Sequence, residues 1–445
     1  MSKSTINIKL FLGILGAVVV IAVLISLNAG GEERGGNFTM TIPGQEQQGD
    51  ANIKGVTLFV DFSGSMRGYV DGKNTKNPSA FDSFNASMIS NVANGLTNIA
   101  YSYNISPQSI CGKNKYDNKS FLSAMDNHSI FNKGTTLLDE MFAHCISSVS
   151  DSTVGILVTD MVLSYGRQKL LDEKNPSYNK HHLSDLSGKI YESLMEAYSN
   201  KKMHIVVLQY MSDYNGHYYC NYTENIVPNK YDKLLMKDRP FYVVLCGTEN
   251  NLRSIMAKNC FRSYENVYAS FLLPEPDRQL FEIRTAHPHI WFVGGDTVDG
   301  KGQGKGVVWA ESEDDDRQED LTIRCNAFQI PSYVKVNPNL EYNRDVFSSV
   351  TGPVNYNYTE NAVLTFNAKL QPYGQLKKDM NAVITLYTDG GWLDTASTDN
   401  DAIDDAVPLQ GKTWGFAALA DQINKVYDVP TKHELARIEF IVSSK

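Results

Sequence analysis

Three short stretches carry residues whose types and spacing could do chemistry. DFSGSM, Asp61 to Met66, follows the apolar run GVTLFV with an acid and two serines spaced two apart. TVGILVTD ends on Asp160, again an acid after an apolar run. KGTTLLDEMF opens with Gly134 and Thr135. Two carboxylates and three hydroxyls are all hard oxygen donors. Such a set suits Mg²⁺ or Mn²⁺, which favour octahedral oxygen shells and keep some of their water. No Cys or His belongs to the pattern, as a zinc or soft-metal site would require. A serine nucleophile at Ser63 or Ser65 is disfavoured, because FSGSM lacks the GxSxG turn and no His is placed on a neighbouring strand end. A phosphotransfer site would place a second acid where Ser63 stands.

The elements that must position these residues read as alternating strands and helices. GVTLFV and TVGILVT are continuous apolar runs, as strands covered on both faces should be. In an open parallel sheet, ligands bind beyond the carboxyl ends of such strands, which is where Asp61 and Asp160 fall. Apolar residues three and four apart predict helices over 83–103, 135–149 and 182–200. MHIVVLQYM (203–211) and RPFYVVLCG (239–247) read as two more strands, with a Tyr- and Asn-rich insertion between them, and NLRSIMAKN (251–259) as a short helix. Alternation over this length predicts an α/β, doubly wound, Rossmann-like domain with a parallel sheet. After about residue 265 the runs shorten and several alternate with period two, as in LTFNAKL and VITLYTD. That predicts a β-rich, sandwich-like C-terminal domain. A helix from Trp414 to Asp428 interrupts it, and the four tryptophans are expected to fill its core.

In that order, DFSGS, a Gly-Thr at a helix start and a TD at a strand end resemble the von Willebrand factor A domain and its metal-ion-dependent adhesion site. The resemblance covers roughly residues 52–260. It implies that Asp61, Ser63, Ser65, Thr135 and Asp160 hold Mg²⁺ or Mn²⁺, with Thr136 the alternative to Thr135. It further implies that a carboxylate from a protein partner completes the metal shell, so that the function is binding and not catalysis. Where the family often has Gly after the TD, this chain has Met161.

Composition narrows the remaining classes. The chain has 445 residues and a net charge of −9, with no concentrated basic surface to meet phosphate, so a nucleic-acid partner is not expected. Residues 10–27 carry no charge and would reach about 27 Å as a helix, close to a bilayer core. Lys3 and Lys9 precede them, which predicts a single-pass membrane protein with its N-terminus cytoplasmic and its body extracytoplasmic, in a periplasm or at a cell surface. The predicted layout is an N-terminal membrane anchor over 1–28, a flexible Gly- and Gln-rich tether over 29–50, the α/β domain over 51–262 and the β-rich domain over 263–445. Six cysteines show no CxxC spacing, and Cys246 reads as a small buried side chain. The acidic runs at 311–320 and 394–405 read as solvated loops, the second a weaker calcium candidate without the EF-hand glycine. The leading reading is divalent-metal-dependent protein–protein binding within an envelope or surface assembly. Two alternatives stay open: a structural envelope component that binds through its β-rich domain, with a purely structural metal site, and a metal-dependent hydrolase.

Overall fold

The computed structural model describes residues 34–43, 52–70, 79–90, 97–101, 114–116, 119, 122–123, 131, 138–162, 176–217, 233–256, 261, 263–271, 276–285, 290–293, 307–310, 316–326, 339–354, 363–387, 391–399, 410–428 and 434–444. Residues 10–27, the expected membrane anchor, lie outside them. The single-pass membrane placement is corrected. Among the described residues no helix is long and apolar enough to cross a membrane. The longest, Pro176–Lys201, has the length but carries Asp185, Lys189, Glu192 and Glu196 along its course. Residues 34–43, expected within a flexible tether, form strand β1 (Arg34–Pro43).

Two of the three chemistry-bearing stretches, those of Asp61 and Asp160, lie at strands of a seven-stranded sheet. Its strands are β2 (Gly55–Val60), β3 (Thr97–Tyr101), β4 (Asn114–Tyr116), β5 (Thr153–Thr159), β6 (His204–His217), β7 (Lys233–Gly247) and β8 (Asn266–Ala269), in the order β4-β3-β2-β5-β7-β6-β8. Only β3, β2 and β5 form parallel neighbours. The pairs β3–β4, β5–β7, β6–β7 and β6–β8 are antiparallel. The expected doubly wound, Rossmann-like parallel sheet is therefore corrected to a mixed one. The physical reason lies in 203–247. A parallel return needs a crossover of a dozen or more residues, usually a helix. Strand β7 instead pairs antiparallel with β6, from His204 opposite Gly247 out to His217 opposite Lys233, so it returns as a hairpin arm and inserts between β5 and β6. The inner halves of both arms, Ile205–Tyr210 and Phe241–Gly247, are buried, and burial makes their sequences look like successive parallel strands.

Helices cover both faces of this sheet. One face buries Val56, Leu58, Val154, Ile156, Val243 and Leu245 against helix α2 (Ala80–Met88) and helix α5 (Glu249–Met256). Ser79 caps α2 by accepting a hydrogen bond from the Asp82 amide at 3.1 Å, and Phe81, Phe84 and Met88 form its buried stripe. The helix expected over 83–103 is thus shorter, and its Ile- and Tyr-bearing end is strand β3. The other face buries Phe59, Leu157, Tyr242 and Val244 against helices α3 (Leu138–Ser147) and α4 (Pro176–Lys201). The buried apolar set on α3 is Leu138, Met141, Phe142, Cys145 and Ile146, an i, i+3, i+4 stripe.

The remaining long strands are β9 (Pro276–Thr285), β10 (Ile290–Val293), β11 (Val307–Ala310), β12 (Asp320–Asn326), β13 (Asn339–Tyr342), β14 (Phe347–Val354), β15 (Val363–Leu370) and β16 (Met380–Tyr387), together with β19 (Glu434–Ser444). They join β1 in one ten-stranded sheet, which corrects the expected sandwich of two sheets. Strand β19 pairs with β16 on one side and with β1 and β11 on the other, over different parts of its length. From β19 the path β1-β9-β12-β15-β14 takes five steps of about 4.8 Å, or about 24 Å if flat. Yet the rings of Phe347 on β14 and Phe440 on β19 are 6.0 Å apart. The sheet curls until its apolar face meets itself.

A last segment links the two sheets. Helix α6 (Trp392–Thr395), the short strands β17 (Ser397–Thr398) and β18 (Thr413–Trp414), and helix α7 (Phe416–Tyr427) follow β16 in the chain but pack on the mixed sheet. The Phe416 ring stacks on Tyr242 of β7 at 4.7 Å, and Trp392 donates to the Val267 carbonyl at 2.9 Å. Trp392 and Trp414 are buried here and not in the β-rich core where they were expected. The side chains of Trp291 and Trp309 lie outside the described residues.

Candidate metal centre

Strands β2 and β5 run side by side with Val60 opposite Val158, so their acids emerge at one sheet end. The Asp61 amide still donates to Val158 at 2.9 Å, which fixes where the strand stops. Beyond it the loop folds on its own side chains. Asp61 Oδ1 accepts from the Ser63 amide at 2.8 Å. Asp61 Oδ2 accepts from the Thr159 hydroxyl at 3.0 Å, and Thr159 Oγ1 in turn accepts from the Met161 amide at 3.2 Å. The Ser63 and Ser65 hydroxyl oxygens stand 3.0 Å apart. Asp61, Ser63 and Asp160 are buried, and Ser65 is half-buried at the rim. The structure thus brings Asp61, Ser63 and Ser65 into one loop and sets Asp160 at the end of the adjacent strand. Thr135 and Thr136 lie outside the described residues.

Asp160 is held differently from Asp61. Its Oδ1 accepts from the Val162 amide at 3.2 Å, and its Oδ2 accepts from Arg239 Nη2 at 3.3 Å. Arg239 is 2% exposed and Asp160 1%, so this is a fully buried ion pair. The guanidinium lies over the rings of Tyr214 at 4.7 Å and Tyr69 at 5.8 Å. Stacking of this kind suits a planar, weakly hydrated cation. Burial pushes the Tyr69 hydroxyl well above its ordinary pKa, while Arg239 beside it pulls in the opposite direction. The Tyr69 hydroxyl donates to the Pro240 carbonyl. Neither Arg239 nor the two tyrosines follows from the motif spacing. The available signal was a charged residue two positions before the buried run FYVVLC.

The outer half of the β6–β7 hairpin clamps this loop. Tyr214 donates to the Ser65 carbonyl at 2.9 Å. Helix α1 (Arg67–Val70), which continues the loop, lies so close that a Cβ on Gly68 would sit 2.3 Å from the Tyr214 ring. A Cβ on Gly216 would sit 2.4 Å from the Gly68 Cα. Met161, directly after Asp160, has φ of 57° and is fully buried. The left-handed turn that steers the chain away from Asp160 is thus made by a side chain that fills the core and carries strain of about 1 kcal/mol.

The donor set fits a hard divalent cation: two carboxylates and two neighbouring hydroxyls, all of them oxygen donors. Among the described residues no three His, Cys, Asp or Glu side chains come together, so a cation here would draw on the hydroxyls. Elsewhere, Cys145 and Cys246 are buried free thiols, as the apolar setting of Cys246 suggested. A hydrogen bond with Cys246, with burial adding to it, pushes the Cys145 thiol well up. Of the weaker calcium candidates, Asp394 and Asp399 are described, and Asp401, Asp404 and Asp405 lie outside the described residues. No family model matches the chain, and neither a curated protein nor a solved structure does so.

Proposed function

We propose that this protein recognises a protein partner through a divalent cation, Mg²⁺ or Mn²⁺, held by Asp61, Ser63, Ser65 and Asp160, with Thr135 as a further ligand. The observation that carries the reading is the pair of serine hydroxyls 3.0 Å apart beside a buried aspartate, at the carboxyl ends of neighbouring parallel strands. Neutral hydroxyl donors leave the cation electron-poor, which favours an anionic ligand from outside. A carboxylate on the partner is the natural choice. Asp61 orients the loop through the Ser63 amide, Thr159 holds Asp61, and the half-buried Ser65 marks the side from which a partner can approach.

A second reading has its own observation. Arg239 already neutralises Asp160, as it would in a purely structural ion cluster. Thermal unfolding of the protein in EDTA, and then with Mg²⁺ or Mn²⁺, separates the two when run beside Ser65→Ala. The Ser65 side chain bonds to Ser63, whereas its carbonyl makes the fold contact with Tyr214, so the substitution spares the fold. A ligand that binds only the folded state at a hundredfold excess over Kd adds about 2.7 kcal/mol. The expected result is a cation-dependent rise in the midpoint that Ser65→Ala loses. Equal midpoints with and without cation in the parent would favour the structural reading.

A further inference from the structure

We infer that Arg239 is a built-in counter-ion that competes with the divalent cation for Asp160 and so sets the cation affinity of the site. The inference rests on the metal-dependent reading above and names a regulator of that site. Asp61, Asp160 and Arg239 together carry one net negative charge, and all are at most 2% exposed. A guanidinium this close to a carboxylate takes up the electrostatic role that a cation would otherwise fill. The site therefore has charge for a divalent ion only if that ion displaces Arg239 from Asp160. Like charges separated by a few ångströms in a dry site repel strongly, so the guanidinium must weaken cation binding.

The structure also shows why Arg239 can play this part and a lysine would not play it equally. Tyr214 and Tyr69 provide ring faces for a planar cation. Arg239 lies on β7, opposite Ser212 of the β6 arm whose Tyr214 hydroxyl holds the Ser65 carbonyl. Its neighbour Asp238 accepts at its carbonyl from the Gly411 amide at 2.9 Å. A shift of the guanidinium away from Asp160 would thus be felt on two sides, by the site loop and by the segment leading into α7. Strand direction creates the arrangement. Because β7 runs against β5, a residue near its middle reaches the sheet end at which β5 finishes.

The test is Mn²⁺ titration of the full chain, with free Mn²⁺ read by electron paramagnetic resonance, on the parent, Arg239→Met and Arg239→Lys. Tighter binding by about tenfold or more in Arg239→Met, with Arg239→Lys closer to the parent, is the expected result. Equal affinity in all three would overturn the competition and leave the metal reading standing. No saturable binding in any of them would overturn both. Should Arg239→Met fail to fold, the parent alone still decides. Competition requires that saturating Mn²⁺ move the guanidinium off the Tyr69 and Tyr214 rings and change the near-ultraviolet dichroism of tyrosine. Saturable binding with an unchanged tyrosine band would overturn the inference.

Discussion

The two sheets of this protein bury their strands in different ways. In the mixed sheet successive residues of one strand enter different cores: Val243 and Leu245 of β7 face α2 and α5, while Tyr242 and Val244 face α4 and α7. In the ten-stranded sheet one face is inside. Leu364, Phe366, Ala368 and Leu370 of β15 are buried, and Asn367 between them is exposed. A strand buried on both sides has no free surface for polar groups, so polar chemistry concentrates where it stops. That is where Asp61, Thr159, Asp160 and Arg239 meet. A strand buried on one side spreads its polar groups along its length, as Arg437, Glu434 and Glu439 do on β19. The first architecture makes a site, and the second makes a scaffold.

The largest expected effect breaks the polar cluster at the strand ends. Asp160→Ala removes the partner of a buried cation and should cost about 3–5 kcal/mol in denaturant unfolding. That size makes it a poor variant for testing metal binding, and Ser65→Ala the better one. A scan along two strands sharpens the contrast. On β15, Phe366→Ala should cost about 3 kcal/mol or more and Asn367→Ala no more than about 0.5 kcal/mol. On β7, Val243→Ala and Val244→Ala should each cost about 2 kcal/mol, because neither faces water. Comparable losses at both β15 positions would contradict the one-sided burial.

Smaller effects concern the clamp and the linking helix. Gly68→Ala forces the Tyr214 ring away and should cost about 1–3 kcal/mol, with faster amide exchange in β6 beyond Ser212 as the local sign. Asp428 ends α7 at φ of 48° and is exposed. Asp428→Gly should therefore stabilise by about 0.5 kcal/mol, read as a small rise in the denaturant midpoint.

Much of this was legible in the chain, and the exceptions share a cause. Runs such as GVTLFV and TVGILVT announced buried strands, and the acids after them announced the sheet end. The i, i+3, i+4 stripes of α3 and α4 announced their helices. Period-two patterns placed the buried faces of β15 and β16. What periodicity does not encode is direction and distant pairing. FYVVLC reads the same whether its strand runs with or against TVGILVT, so the reversal of β7 stayed hidden, and with it the arrival of Arg239 at Asp160. The helix at Phe416–Tyr427 showed its apolar stripe plainly. That its partners are Tyr242 and α4 depends on three-dimensional neighbours some 170 or more residues away along the chain, as in the Tyr242–Thr413 hydrogen bond. Strand β1 carried too few apolar residues to stand out from a linker, because its ladder with β9 rests on backbone pairing over ten residues. The left-handed turn at Met161 left no mark in the sequence, because no glycine, the residue that favours such a φ, stands there.

The most direct test of the central claim is anomalous diffraction at the manganese edge from crystals of the protein grown with Mn²⁺. The account predicts one strong peak bounded by the carboxylate of Asp61 and the hydroxyls of Ser63 and Ser65, with Asp160 at its edge. A fully occupied peak elsewhere with none at this loop, or no peak at saturating Mn²⁺, would contradict it.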